Sequence, residues 1–515
     1  VRLEFVPEAR PTLDRLRLGV LSFDGADAAV LFGFALGRVI ALYNAAYDPG
    51  LASLSVGIVS HAWAIREAIA SGYTRYDLLR GDEPYKYDLG AHDHWLPQLM
   101  RVAMLSVHAC PMAKLGGRDS GGMNLYIREL ARDLARRGIE VDVFTRQREH
   151  DHPKIQEIAP GARVIHIESG PVSYLPKMDV YDRLDEFTAG VDAYVKEHDL
   201  RYDVIHAHYW LSAEVARALA PTWGVPRIQM FHTLGLVKRE VMDEDVDGES
   251  DVRVAIERRA VQESAAVIAA SEIEAGELEE LYAAEPAKLR IIPCGVDPEI
   301  FHPVRQADAR RALGRDECER LVLFVGRIEQ IKGIDVLLRA IGIIFRAYPE
   351  LRDEICLLVV GGALDAEDGE AETDKIVELR RLVHEHRLED AVDFVGSQDQ
   401  PRLAVFYNAA DLCAVPSLTE SFGLVALESM ACGTPVVGTR VGGLQTVIEN
   451  DVSGLLVPAG DDAALAEAMA RVLLDHALRL RLAAGARERA KAYSWHRVGE
   501  AVAALYADLM QPVEV

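Results

Sequence analysis

The chain lacks the features that would tie it to nucleic acid, to a bilayer or to an oxidising compartment. Only 56 of its 515 residues are Lys or Arg, against 81 Asp or Glu, for a formal charge of −25. Such an excess repels phosphate backbones and argues against a nucleic-acid partner. It also disfavours anionic membrane surfaces. Long apolar runs are missing as well. The longest early one, Ala28–Leu42, is broken by Arg38 and contains Gly33 and Gly37. It is too short to span a bilayer and lacks the form of a signal peptide. Cysteine is scarce: six, at 110, 294, 318, 356, 413 and 432, with no C-x-x-C pair. Most lie in apolar runs, so reduced core residues of a cytoplasmic protein are expected. There is no fixed-period repeat. The chain opens on Val1 rather than Met, so its natural start is expected upstream.

What is present can bury real cores. Half of the residues are hydrophobic and 27% are charged, the balance of an ordinary globular protein, and the length predicts two to four domains. From Arg101 onward, apolar strands alternate with amphipathic helices. Val102–Val107, Glu140–Thr145, Arg163–Ile167, Val204–Ala207, Arg227–Met230, Ala266–Ala269 and Arg290–Ile292 form one series. Leu321–Val325, Ile355–Val360, Val392–Val395, Leu412–Val415, Pro435–Gly438 and Leu455–Val457 form a second. Such alternation predicts two parallel, doubly wound sheets, with ligands at the carboxyl ends of the strands. Pro293–Pro303 reads as the hinge between them. The tail, Asp461–Asp475, Leu478–Tyr493 and Trp495–Leu509, reads as helical. Met242–Asp251 is a solvated acidic loop whose Asp243 and Asp245 are not expected to hold a metal.

Two stretches carry chemistry. Val322–Lys332 is a buried strand followed by Gly326, Arg327 and Lys332. Two cations on the loop after a strand can clamp a diphosphate, Arg as a fork and Lys as a point charge. Pro416–Cys432 reads P-S-L-T-E-S-F-G-L-V-A-L-E-S-M-A-C. A helix is expected to start near Ser421–Phe422 and to stop at Gly433. Gly423 bares the first free N–H groups, which suit a phosphate. Glu420 and Glu428, eight residues apart, can face one cleft and accept from sugar and ribose hydroxyls. A third stretch, K-L-G-G-R-D-S-G-G-M-N at Lys114–Asn124, is Gly-rich and leads into a helix, which favours close approach of backbone to a ligand. It is not a G-x-G-x-x-G fingerprint.

G-R-I-x-x-x-K followed by E-S-F-G-L-V-A-L-E resembles glycosyltransferase family 4, the retaining nucleotide-sugar transferases of GT-B fold. The likeness runs from about Arg101 to Leu509, nearest the branch of sucrose-phosphate synthases and the inositol-phosphate glycosyltransferase of mycothiol synthesis. The resemblance implies an α/β GT-B fold, two facing doubly wound parallel-sheet domains. Residues 101–297 would hold the acceptor and 298–490 the nucleotide sugar, with a helix in 491–515 crossing back. Arg327, Lys332, Glu420 and His232 (in M-F-H-T-L) would be catalytic. Gly122, Ser421, Phe422, Gly423, Leu424, Val425 and Glu428 would join Arg327, Lys332 and Glu420 on the donor. Asn124, Lys177, Tyr209, Thr233 and Arg253 would meet the acceptor, the last four matching a phosphate grip. Between Gly362 and Asp374 the branch has Gly-Gly-Pro-Ser-Gly where this chain has an acidic insertion, so no contact is carried over there.

The expected reaction moves a sugar from a nucleotide-diphosphate donor, UDP-sugar favoured, to a hydroxyl of a sugar, polyol or glycan, with a phosphorylated acceptor suggested. Retention would leave the departing phosphate as base, with no protein nucleophile, no cofactor and no metal. Alternatives are a polysaccharide or lipid-intermediate transferase of the same family, a nucleotide-sugar epimerase, and a non-catalytic scaffold. Partners would be the nucleotide sugar and acceptor, with no nucleic acid and no stable membrane insertion; a homodimer stays open.

Residues 1–97 differ. Val39–Tyr43 and Leu54–Val59 read as strands, His61–Ser71 as a helix ending at Gly72, and Tyr76–Leu79 as another strand before R-G-D-E-P-Y-K-Y-D-L-G, Arg80–Gly90. This order resembles the C-terminal half of a FemAB/GNAT-like acyltransferase domain, an α+β half-domain. No Gly-rich loop for coenzyme A is visible, so a remnant or docking module is expected. Ala91–Met100 reads as a linker.

Overall fold

The computed structural model describes residues 2–5, 16–23, 26–36, 39–54, 56–71, 75–77, 100–114, 120–241, 250–362 and 374–510. The stretch Arg80–Gly90, most of the linker after it, Asp243 and Asp245, and nearly all of the acidic insertion lie outside them, as do residues 115–119 of the Gly-rich loop. The chain divides into two compact units, Val1–Gln98 and Leu99–Val515.

In the first unit, β1 (Arg2–Phe5), β2 (Leu16–Phe23), β3 (Ala26–Leu36) and β4 (Val39–Tyr47) pair antiparallel in sequence order. The helix Val56–Ala70 then brings β5 (Arg75–Asp77) parallel to β4. The apolar run Ala28–Leu42 therefore belongs to a hairpin, with Gly33 opposite Leu42. Leu54–Val59 is not the expected strand: a 3-10 turn, Pro49–Leu54, ends there and the helix begins. The apolar spacing Val56, Val59, Trp63 fits a helical face, and Val59 packs on Leu21, Ala28 and Ala29; in so short a run the two periods compete.

The second unit contains two sheets. Its first holds β6 (Arg101–Leu105), β7 (Glu140–Arg146), β8 (Ile155–Ala159), β9 (Ala162–Ile167), β10 (Val204–His208), β11 (Arg227–Met230), β12 (Ala266–Ala269) and β13 (Leu289–Ile291). Their spatial order is β13-β12-β11-β10-β6-β7-β9-β8, parallel except for β8, an antiparallel edge strand. The second sheet holds β14 (Arg320–Val325), β15 (Ile355–Val360), β16 (Val392–Gly396), β17 (Leu412–Val415), β18 (Val436–Thr439) and β19 (Gly454–Val457). The order is β16-β15-β14-β17-β18-β19, all parallel. The inner strands β6, β10, β14 and β17 are almost wholly buried, as parallel strands covered by helices on both faces must be.

Each sheet starts in its middle and reverses direction once, between β6 and β10 in the first and between β14 and β17 in the second. Ligands of open α/β sheets bind beyond the carboxyl ends of strands at such switch points. The segments that follow these four strands carry His108, Tyr209, Arg327 and Glu420. The last helix, Trp495–Met510, packs on the first lobe: Tyr506 Oη lies 2.7 Å from His206 Nδ1, and Trp495 meets the edge of Tyr126.

The expectation of reduced cysteines is overturned as well. Cys318 and Cys356 form a disulfide with Cα atoms 5.9 Å apart. Parallel pairing sets Arg320 beside Ile355, so cysteines 38 residues apart in sequence meet at the starts of β14 and β15. Sequence spacing alone does not contain that register. Cys110, Cys294, Cys413 and Cys432 are free and buried. Among the described residues no helix is long and apolar enough to cross a membrane.

Candidate active site

The helix after β17 spans Leu424–Cys432, two to three residues later than expected. Gly423 is the reason. It caps the helix at φ +102°, and a Cβ there would come within 2.7 Å of the Leu444 side chain. Only glycine tolerates that backbone and that contact, so the chain turns at Gly423 before the helix starts. Gly433 ends it at φ +83°.

The two lobes touch around this turn. Ser421 Oγ donates to the carbonyl oxygen of His232, on the opposite lobe. A Cβ on Gly122 would lie 3.2 Å from Leu424, and one on Gly121 would lie 3.6 Å from Arg327 Nε. The Gly-rich loop thus reaches across to the cation after β14. Lys332 Nζ donates to Glu420 Oε2 at 2.6 Å, and Arg327 Nη1 to Glu329 Oε1 at 2.6 Å. Arg327, Lys332, Glu420, Ser421, Leu424, Gly122 and His232 are therefore neighbours although they come from four separated stretches. Phe422 turns inward against Tyr493, leaving only its backbone for a ligand. Val425 is half-buried one residue into the helix.

Glu428 lies within that helix, 5% exposed, and accepts from Tyr407 Oη at 2.9 Å. Burial pushes its carboxyl up to about 7, opposed by hydrogen bonds from Tyr407 and Gln400. The carboxyl is thus poised between neutral and charged at neutral pH.

The first lobe contributes a cluster of aromatic and imidazole rings. His232 Nε2 lies 3.0 Å from His208 Nδ1, and the rings of His206 and His208 are 4.2 Å apart. Burial holds all three neutral, His206 down at about 3. His232 consequently offers hydrogen bonds, not charge. It also sits at φ +63°, and Tyr209 at φ +74°. Left-handed backbone at bulky residues stores about 1–3 kcal/mol of strain and clusters at functional sites.

Behind His232, Arg253 is 2% exposed. It donates to Tyr209 Oη at 3.0 Å and to Thr233 Oγ1 at 2.9 Å, and its guanidinium lies 4.8 Å from the Tyr209 ring centre. Three of the four expected acceptor-phosphate residues are thus one network. The fourth, Lys177, opens the short helix Lys177–Tyr181. It acts with Arg148 and Arg253 on His108, whose pKa falls well below its ordinary value through burial first and then these three cations. Asn124 is buried; its amide accepts from Gly121 N at 3.0 Å and donates to the Cys110 carbonyl at 2.8 Å, bracing the loop.

Three residues around these pockets escaped the sequence reading. Glu257 pairs with Arg253 at 2.7 Å in full burial, so that pair is neutral as a whole, and Lys177 and Arg148 add positive charge beside it. Arg148 donates to the His108 carbonyl and lies over Tyr174. His108 stacks near Tyr209, and its Nδ1 has no hydrogen-bond partner among the described residues. Glu257 follows Arg253 at helical spacing i,i+4, a readable signal. Nothing local in the sequence marks Arg148 or His108; they join the pocket because β6 and β7 are adjacent.

Two facing doubly wound lobes, with two cations, carboxylates and a helix start at the cleft, define a transferase acting on nucleotide-diphosphate sugars. Comparison with known proteins agrees and narrows the class. Residues 305–489 match the family model of glycosyl transferases group 1, residues 120–300 that of glycosyltransferase family 4, and residues 2–87 that of a GNAT acetyltransferase domain. The D-inositol 3-phosphate glycosyltransferase of Actinosynnema mirum is 42% identical over 409 residues, 79% of this chain and 97% of that one. That of Acidothermus cellulolyticus is 42% identical over 420 residues, 81% and 91%. Among solved structures, sucrose-phosphate synthase from Thermosynechococcus elongatus superposes with a TM-score of 0.73 at 36% identity, covering 80% of this chain and 99% of that one. The chain belongs to the retaining GT-B glycosyltransferases of family 4; it is a glycosyltransferase with a GNAT-like segment ahead of it.

Proposed function

We propose that the enzyme transfers a hexosyl group from a UDP-sugar to a hydroxyl of a phosphorylated polyol or sugar, with retention at the anomeric carbon. The observation that carries this reading is the joined network of Arg253, Tyr209 and Thr233 with Lys177 and Arg148 close by. Two hydroxyls, a forked guanidinium and two further cations suit a phosphate dianion better than a neutral sugar. The named relatives act on an inositol phosphate or make a sugar phosphate, and the same chemistry is inferred here.

In this mechanism the acceptor hydroxyl attacks the anomeric carbon on the face the diphosphate leaves. The carbon–oxygen bond to the diphosphate breaks, and the hydroxyl proton passes to a departing phosphate oxygen. Arg327 and Lys332 neutralise the charge that develops there. Each must first be drawn from its carboxylate partner, Glu329 or Glu420. Glu420 can then turn to donor-sugar hydroxyls. Pre-placed cations of this kind are worth several kcal/mol at a transition state. Glu428 takes the ribose hydroxyls. Two cations and a helix start meet the diphosphate, so no divalent ion is required. A cytoplasmic setting, where phosphorylated donor and acceptor are both held, goes with this chemistry.

The test offers UDP-sugars with inositol phosphates, hexose phosphates and the same compounds dephosphorylated. Transfer to a phosphorylated acceptor is expected to be at least about tenfold faster, because a free polyol makes none of the charge-assisted hydrogen bonds to phosphate oxygens. That preference should persist in EDTA. Equal rates with free acceptors would reject the phosphate pocket; loss of transfer in EDTA would reject metal independence.

A further inference from the structure

One contact between the lobes lies off the reaction centre yet leads straight to the donor side. Arg128 is on the helix Gly122–Arg136 of the first lobe. Its Nη2 donates to Gln400 Oε1 at 3.1 Å, on the second lobe. The helix that Gln400 opens carries Tyr407, which donates to Glu428 Oε2 at 2.9 Å.

Both ends of this relay are held. Arg128 Nε donates to Glu129, which also takes Arg132 at 2.5 Å, so the guanidinium has a fixed direction. Gln400 opens the helix Gln400–Ala409, whose start is capped by Asp399 accepting from Arg402 N. Tyr407, the donor to Glu428, sits seven residues along the same helix. Two turns separate them, so both point to one face. Arg128 therefore anchors, from across the cleft, the helix that orients the carboxylate.

The helix bearing Arg128 also begins at the cleft, with Gly122 against Leu424. Six residues along a helix is about 9 Å. One rigid element thus touches the second lobe twice, near the diphosphate clamp and beside the ribose carboxylate. Separating the lobes would break both contacts together.

We propose that Arg128 is a positioning residue that couples lobe closure to the grip on the donor's ribose, acting through Gln400 and the helix that carries Tyr407 on Glu428. It rests on the reading of Glu428 as the ribose acceptor. Closure orients Glu428, and a bound nucleotide in turn favours closure; such coupling is reciprocal.

The experiment measures UDP affinity by calorimetry and UDP release by stopped flow, with steady-state kinetics alongside. Arg128→Ala and Gln400→Met are each expected to weaken UDP and speed its release about five- to tenfold, at the lower end of ordinary coupling. The double variant is expected to match either single one, because both cut the same relay. Donor KM should rise while acceptor KM and kcat hold, and Arg128→Lys should recover part of the loss. A general loosening of the fold would raise both KM values and add up in the double variant, which would overturn the proposal. Glu428→Gln separates the two claims. If it leaves UDP affinity intact, the ribose reading falls and the relay with it. If it cripples affinity while Arg128→Ala and Gln400→Met behave as the unaltered enzyme, the relay alone falls.

Discussion

At the scale of single residues, the proposed acceptor pocket distinguishes charge from scaffolding. Arg253 has both jobs: it reaches Tyr209 and Thr233, and it is the buried partner of Glu257. Removing one member of a buried ion pair strands the other and costs about 3–5 kcal/mol. Arg253→Ala is therefore expected to lower the thermal midpoint sharply, which confuses any reading of its acceptor KM. Lys177 lies half-exposed at the start of a short helix, outside the core. Lys177→Met is expected to raise the KM for a phosphorylated acceptor about tenfold or more, leave donor KM alone, and hardly move the midpoint, as befits a charge-assisted contact made outside the core. Calorimetry and initial-rate kinetics on the pair of variants check this; equal rises in both KM values for Lys177→Met would remove it from the acceptor pocket. Residue identity in the sequence points to cations, but their partners are tertiary. Nothing near Arg253 says that Tyr282 also donates to the same Glu257, because that contact joins residues 25 apart.

At the scale of elements, what was legible is what local chemistry decides. The strands β11, β12, β15 and β17 lie at the positions read from their apolar runs, and Ser271 caps its helix by accepting from Glu274 N. Misread elements are those where two local signals compete or none exists. Leu54–Val59 carries apolar spacings that fit strand and helix alike. β8 is a half-exposed edge strand with no run to announce it. The helix Leu424–Cys432 starts late because a left-handed glycine, not a polar cap, sets its first turn. That helix supports a prediction about pH. The ordinary carboxyl value is 4.5 and Glu428 stands at about 7 in the folded chain. Tyr407, Cys413 and Cys432 around it are all pushed upward and stay neutral. Between those two values the folded state keeps a proton that the unfolded state has lost. Glu428's contribution to stability is therefore full below 4.5 and is lost as pH rises through about 7. On the proposed role of Glu428, ribose binding has the opposite sign, since the ionised carboxylate is the stronger acceptor. Affinity for a UDP-sugar, whose diphosphate does not titrate in this range, is expected to rise about two- to fivefold from about pH 6 to 8, the worth of charge assistance. Calorimetry across that range should show the rise in the unaltered enzyme and a flat profile in Glu428→Gln. A falling profile would mean that the protonated acid is the binding form.

At the scale of the whole catalytic unit, function and stability are separated along the strands. All the cleft residues on the second lobe follow the carboxyl ends of β14 and β17, whereas the Cys318–Cys356 bond ties β14 and β15 at their starts. A six-residue strand is about 20 Å long, so the covalent link and the proposed diphosphate clamp sit at opposite ends of the sheet. The strand ends that lead to the cleft were readable in the sequence because apolar runs mark them; the bond was not, because it depends on the register of two strands. Closing a loop of 38 residues restricts the unfolded chain and stabilises the fold by about 2–4 kcal/mol. Reduction should accordingly leave the rate at room temperature within about twofold, since none of the clamp residues moves, and yet shorten the half-life of thermal inactivation, which a chain of several domains reports more faithfully than an equilibrium midpoint. The same result is expected for Cys318→Ser with Cys356→Ser, now insensitive to reductant. Initial rates and inactivation half-lives, taken with and without dithiothreitol on both proteins, decide the matter. If activity fell in step with reduction while inactivation stayed unchanged, the sheet would be transmitting strain from its starts to the cleft, and the separation of stability from chemistry along β14 would have to be abandoned.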